Sequence, residues 1–152
     1  WVPKAAQINN NTFEVAVSDG YGTDVQKGKV FVNNAPTVIS NPKPVGLTGH
    51  NWRYKMTSKD LNGDKVAYRA VRLPKYAQFD KKKAIVEWTP RKNQMGMNDF
   101  ILMAVDEHGA TSTHEFQVHV FHDPSTQQLV NTGWPLMLTF VGVVFAWGMA
   151  QI

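Results

Sequence analysis

Asp60, Asn62 and Asp64 place three oxygen-bearing side chains at alternate positions of the run Asp60-Leu61-Asn62-Gly63-Asp64. Hard cations such as calcium take carboxylate and amide oxygens, and ligands two residues apart on a loop can turn toward one centre. The run is no helix–loop–helix calcium loop, because the closing glutamate of such a loop is replaced here by Val71. A second reading stays open, in which Asp60, Asn62 and Gly63 only build a turn through side-chain bonds to nearby backbone amides.

Other reactive constellations are missing. The sequence has no cysteine, so it offers neither a thiolate nucleophile nor a disulfide, which fits a bacterial cell-envelope or cytosolic protein. It has no glycine-rich phosphate loop and no serine in a nucleophile-elbow context. Of the five histidines, His114, His119 and His122 stand closest together, yet strand alternation puts His114 and His119 on opposite faces. No zinc-ligand spacing results, and they read as surface or interface residues. We expect a protein that is not an enzyme.

The elements that must position Asp60, Asn62 and Asp64 are strands. Phe13, Val15 and Val17 alternate with Glu14, Ala16 and Ser18, and Phe116, Val118 and Val120 alternate with Glu115, Gln117 and His119. Trp52, Tyr54 and Met56 follow the same rhythm, as do Val66, Tyr68 and Ala70. A period of two predicts half-buried strands, with Trp52, Trp88 and Phe100 in the core. Turn residues at Asn62-Gly63-Asp64, Leu73-Pro74 and Glu107-His108-Gly109 separate them, and Met95 and Met97 are expected to flank a loop. Short strands at this spacing, with no amphipathic helix before residue 133, predict an all-β, immunoglobulin-like sandwich.

An internal repeat sets the domain organisation. Trp1-Val2-Pro3-Lys4 matches Trp88-Thr89-Pro90-Arg91, and Gln7, Asn11, Phe13, Asp19 and Gly22 match Gln94, Asn98, Phe100, Asp106 and Gly109, every pair 87 positions apart. That period is the size of one sandwich and exceeds solenoid repeats. Residues 1–34 are therefore expected to be the closing part of a first unit whose earlier half lies upstream, and residues 35–122 a complete second unit.

The second unit resembles a known family. Asp60-Leu61-Asn62-Gly63-Asp64-Lys65-Val66-Ala67-Tyr68, Leu73-Pro74, Phe79-Asp80, Ile85-Val86-Glu87-Trp88-Thr89-Pro90, Gln94-Met95-Gly96, Phe100 and Ala104-Val105-Asp106-Glu107-His108-Gly109 stand in the order found in bacterial putative-Ig and dystroglycan-type cadherin-like domains. The resemblance implies tandem extracytoplasmic spacer or adhesion modules and names no reaction. It also implies an acidic residue, here Asp106, beside the Asp60–Asp64 loop, which extends the weak calcium candidate to Asp60, Asn62, Asp64 and Asp106. The linker Asn33-Asn34-Ala35-Pro36 is similar to the cadherin interdomain sequence, with asparagines where calcium-binding linkers carry aspartates.

After a linker over 123–133, Trp134–Ile152 carries no charged side chain. As a helix its nineteen residues would reach about 28 Å, close to the roughly 30 Å of a bilayer's hydrocarbon core. We expect a single transmembrane helix with Trp134 and Trp147 as interfacial anchors and Pro135 in its first turn. Gly142, Ala146 and Ala150 recur every fourth residue, a small-residue stripe suited to helix packing. All formal charges precede Trp134, so the net +4 and pI near 9.4 belong to the preceding part and favour acidic lipid or protein surfaces. Nucleic acid is not expected, because the one tight basic run, Lys81-Lys82-Lys83, has no reader motif beside it and reads as a solvated turn. These features point to a single-pass membrane protein with its β units on the periplasmic or extracellular side, docking onto subunits of a larger respiratory, photosynthetic or secretory complex. Surface adhesion through tandem repeats, or the stalk of an enzyme with an upstream catalytic domain, are the alternatives.

Overall fold

The computed structural model describes residues 1–124. A long antiparallel hairpin comes first, β1 (Asn9–Ser18) and β2 (Thr23–Val32), paired over its full length. The second unit follows as β3 (Thr37–Val38), β4 (Val45–Leu47), β5 (Trp52–Lys55), β6 (Ser58–Lys59), β7 (Ala67–Arg72), β8 (Gln78–Asp80), β9 (Ile85–Trp88), β10 (Gly96–Val105) and β11 (Thr111–Phe121). One sheet runs β4-β11-β10-β7, with β4 parallel to β11, and faces a second sheet β5-β9-β8, while β3 pairs with β6. This is the all-β sandwich predicted from the period-two pattern.

Alternation decides which side chains meet between the sheets. Trp52, Tyr54 and Met56 from one side and Phe100, Leu102, Ala104, Val118 and Val120 from the other are buried, and Trp88 joins them. The aromatic rings interlock: Phe100 stacks on Phe116 at 5.0 Å and meets Trp88 edge-on at 5.4 Å. Such pairs contribute roughly 0.5–1.5 kcal/mol beyond the area they bury. His114 faces inward beside Phe116, and His119 faces outward beside Phe121, as the alternation requires.

The repeat survives in atomic detail. Short 3₁₀ turns at Ala5–Gln7 and Lys92–Gln94 precede β1 and β10. Gln7 Oε1 accepts from Lys4 N at 3.0 Å, and Gln94 Oε1 accepts from Arg91 N at 3.0 Å. Asn11 Nδ2 donates to the Gln7 and Asn9 carbonyls, and Asn98 Nδ2 to those of Gln94 and Gly96. The matched glutamines and asparagines recur because each pins one turn to the strand it starts. Asn9 and Gly96 both take positive φ, which suits only a few residue types. Beyond the turns the repeat slips by one residue, since Ser18 pairs with Thr23 whereas Val105 pairs with Thr111.

Two expectations need correction. Phe13, Val15 and Val17 are 49%, 56% and 67% exposed, although their counterparts Phe100, Leu102 and Ala104 are fully buried. The hairpin has the same alternation, but among the described residues no second sheet covers its apolar face. Phe13 instead lies flat over Gly28, where an added Cβ would stand 2.3 Å from its ring. Met97, expected beside a loop, lies inside β10 opposite His119 with its side chain exposed, because the strand begins at Gly96.

The linker beyond residue 124, the Trp134–Ile152 span, the Gly142, Ala146 and Ala150 stripe and the Trp134 and Trp147 anchors lie outside the described residues. Among the described residues no helix is long and apolar enough to cross a membrane.

Candidate metal centre at the junction of the two units

Asp60 follows β6 and opens a loop whose Gly63 takes φ of 85°, a conformation glycine adopts without steric cost. Its Oδ1 accepts from Asn62 N at 2.8 Å and Asp64 N at 3.2 Å, so one carboxylate oxygen shapes the loop. Asp106 stands in the β10–β11 turn, and its Oδ1 accepts from His108 N and Ala110 N at 2.9 and 2.8 Å. Asp19 does the same for the β1–β2 turn. The fold then carries one carboxylate oxygen each of Asp60, Asp64 and Asp106 to within 4.8 Å of one another. The turn-building role and the shared centre thus coexist: Asp60 builds its turn with Oδ1 and leaves Oδ2 unbonded, whereas both oxygens of Asp106 accept bonds.

Asn62 points elsewhere. Its Oδ1 accepts from Asn34 N at 2.7 Å, and its Nδ2 donates to Asn9 Oδ1 at 2.8 Å and Val32 O at 3.1 Å. It ties the second unit to the first hairpin and to the linker. Asn33 Nδ2 donates to Asp106 Oδ2 at 2.7 Å, and His108 Nδ1 bonds Asp64 Oδ2 at 2.9 Å while its ring lies 4.7 Å from that of Phe31. Asn9, Asn33 and His108 were not among the predicted site residues. Asn33 was marked only by the linker likeness, and no sequence spacing connects Asn9 or His108 to the loop they meet.

Burial pushes the Asp106 carboxyl upward, but the bonds from Asn33, Ala110, His108 and Gly109 outweigh it and hold the group below the usual carboxylate range. Asp106 is therefore an anion at neutral pH. Asp60 Oδ2 is buried with no hydrogen-bond partner. Buried acceptors without donors are uncommon, and a cation satisfies them as well as a donor does. The donor set of three carboxylates fits a hard divalent ion of the calcium class, with Asp60, Asp64 and Asp106 as holders. Because amide and imidazole donors already engage Asp64 and Asp106, a cation competes with existing bonds, which lowers its affinity.

Lys81, Lys82 and Lys83 lie in the β8–β9 turn, where Asp80 Oδ1 accepts from Lys82 N and Lys83 N at 2.9 and 3.1 Å. That is a solvated turn closed by one aspartate.

A profile of the family described as Putative Ig domain matches residues 30–121. The chain belongs to this Ig-like family. No curated protein matches it significantly. Solved structures similar to it include the endo-fucoidan hydrolase MfFcnA4 from glycoside hydrolase family 107, at 21% identity over 80% of this chain and 20% of that one, with a TM-score of 0.47. Mouse clustered PcdhgC3 EC1-3 is similar at 12% identity over 74% of this chain and 43% of that one, with a TM-score of 0.45. An I-band fragment of titin, I67-I69, is similar at 14% identity over 74% of this chain and 42% of that one, with a TM-score of 0.43. This chain spans less than half of each, and likenesses at this level carry no argument about activity.

Proposed function

We propose that the chain is a membrane-tethered, extracytoplasmic interaction subunit, in which the Ig-like unit and the preceding hairpin form one arm that docks onto neighbouring subunits of a membrane complex. The observation that most supports this is the uncharged run Trp134–Ile152 placed shortly after an Ig-like unit whose last strand ends at Phe121. An anchor and a folded module on one chain reinforce each other, because tethering raises the local concentration of the module at a partner in the same membrane. The junction at Asn62 supports an arm rather than two loosely strung beads. In this reading Asp60, Asp64 and Asp106 hold a calcium ion weakly, and the chain catalyses no reaction.

The test is to express the full chain and wash its membranes with alkaline carbonate, then to resolve mild-detergent extracts on native gels. Retention in the membrane and co-migration with a larger assembly are expected. Loss of the chain to the wash overturns the tether, and migration only as the free subunit overturns the docking. A second reading, cell-surface adhesion, is favoured by the atomic repetition of the turn at Gln7 and Gln94. It gains ground if the chain is retained by membranes but joins no complex.

A further inference from the structure

The carboxylate cluster stands at one end of the second unit. Asp106 lies just before β11, and the eleven residues of that strand lead to a pole about 35 Å away at roughly 3.3 Å per residue. There Thr48 N donates to Phe121 O at 3.0 Å, Asp123 N to Thr48 Oγ1 at 3.1 Å and Gly49 N to Pro90 O at 2.8 Å. The departing chain is thereby tied to the segment that bears Arg91 and Lys92. Beside it an open groove of about 620 Å³ is lined by Asn51, Tyr76, Gln78, Glu87, Arg91 and Lys92 among others.

This corner is cationic and braced. The Arg91 guanidinium lies 3.7 Å over the Tyr76 ring, and the Lys75 ammonium lies 5.3 Å from the same ring. Gln94 joins the two basic segments, accepting from Arg91 N and donating to Lys75 O at 2.9 Å. Among the described residues no ion pair engages Lys75, Arg91 or Lys92; Glu87, the carboxylate of the groove, faces Arg53, and Asp123 bonds His50. Tyr76 is 47% exposed. Three unpaired cations around a half-exposed tyrosine are the composition of a surface that meets anions at a water–lipid boundary.

We propose that the Lys75, Tyr76, Arg91 and Lys92 corner seats the unit on anionic lipid headgroups of the membrane that anchors the chain. The inference rests on the tether reading above, and names the partner of the module's membrane-facing end. From Ser125 to Ile152 the sequence carries no charged side chain, so the corner is the last cationic surface before the proposed span. The acidic pole of another copy is the competing occupant. It is disfavoured because Asn33 and His108 already engage Asp106 and Asp64, and the hairpin end covers that pole through Asn9 and Phe31.

The full chain is reconstituted into phosphatidylcholine vesicles with and without phosphatidylglycerol, and amide hydrogen exchange is read at residues 75–77 and 91–93. Phosphatidylglycerol is expected to slow exchange at both segments on the order of tenfold, and R91E with K92E to remove the slowing while carbonate retention is unchanged. Equal exchange in the two lipids, for a chain the wash retains, overturns the proposal and leaves the tether standing. If the wash removes the wild-type chain, the tether fails on its own. The corner must then still float the chain with phosphatidylglycerol vesicles and lose that ability in R91E/K92E, or it fails too. Slowing reproduced by soluble glycerol phosphate in phosphatidylcholine assigns the corner to free phosphate. Slowing that follows protein concentration in neutral lipid assigns it to a second copy, and either result overturns the lipid assignment.

Discussion

Asn33 Nδ2 donates to Asp106 Oδ2 at 2.7 Å across 73 positions of sequence, joining the inter-unit linker to the β10–β11 turn. A neutral amide here does part of the work that a cation does in a metal-bridged junction. With Asn62 bonding Asn9, Val32 and Asn34, it fastens the hairpin to the sandwich directly.

Asn62→Ala should loosen that fastening. It removes three hydrogen bonds at once, and at about 1 kcal/mol for each net bond the loss is about 2–3 kcal/mol of coupling between hairpin and sandwich. Small-angle scattering should show a broader distribution of dimensions while the circular dichroism of the sandwich is kept. Scattering identical to that of the parent would mean the junction is held by something else.

Millimolar calcium should raise the thermal midpoint, because an ion bound only by the folded state stabilises it by about 1.4 kcal/mol at roughly ten times its dissociation constant. Asp60→Ala with Asp64→Ala should abolish the rise, since both supply oxygens to the cluster. A submicromolar affinity by calorimetry would contradict the weak binding expected from carboxylates already engaged by Asn33 and His108.

Residues 35–122, expressed alone, should fold as a β-rich monomer, because among the described residues every buried hydrophobic side chain falls within that range. Trp88→Ala in this fragment should cost about 3–5 kcal/mol in urea unfolding. Trp88→Phe should cost less, since the indole Nε1 is buried without a partner and its loss removes an unsatisfied donor. Helical circular dichroism from the fragment, or an unchanged midpoint in the alanine variant, would refute the core assignment.

Stability should also fall as acidity rises through the histidine range. Burial pushes the His114 imidazole below its ordinary pKa, in a setting that includes the rings of Tyr54 and Phe116. Between the folded and unfolded values the unfolded chain binds more protons, so this contribution is whole above about pH 6.5 and is lost as pH drops below it. His114→Phe should flatten the fall in melting temperature between about pH 7 and pH 5. An unaltered slope would show that His114 binds its proton equally in the folded and unfolded states.

Within the proposed span, replacing Gly142 and Ala146 by leucine keeps the segment hydrophobic but blocks close approach of a neighbouring helix. Weaker co-migration with the complex on native gels is expected, with membrane retention unchanged. Full co-migration would make the stripe a lipid-facing one.

Period-two alternation sufficed to find β1, β5, β7 and β11, because a strand's two faces are written in adjacent residues, and Trp52, Trp88 and Phe100 lie in the core as expected. The 87-residue repeat matches Gln7 with Gln94 in sequence, and the matched turns are local as well, since each glutamine acts on a neighbour three residues away. The loop oxygens Asp60 and Asp64 were legible for the same local reason. Burial of a face was not. Phe13 and Phe100 share a pattern, yet among the described residues only Phe100 has an opposing sheet, and an opposing sheet is a long-range fact. Likewise Asn33, His108 and Asn9 reach the Asp60–Asp64 loop only after the chain crosses between sheets, so the junction, and the separation of an acidic pole from a basic one, exist in the tertiary structure alone.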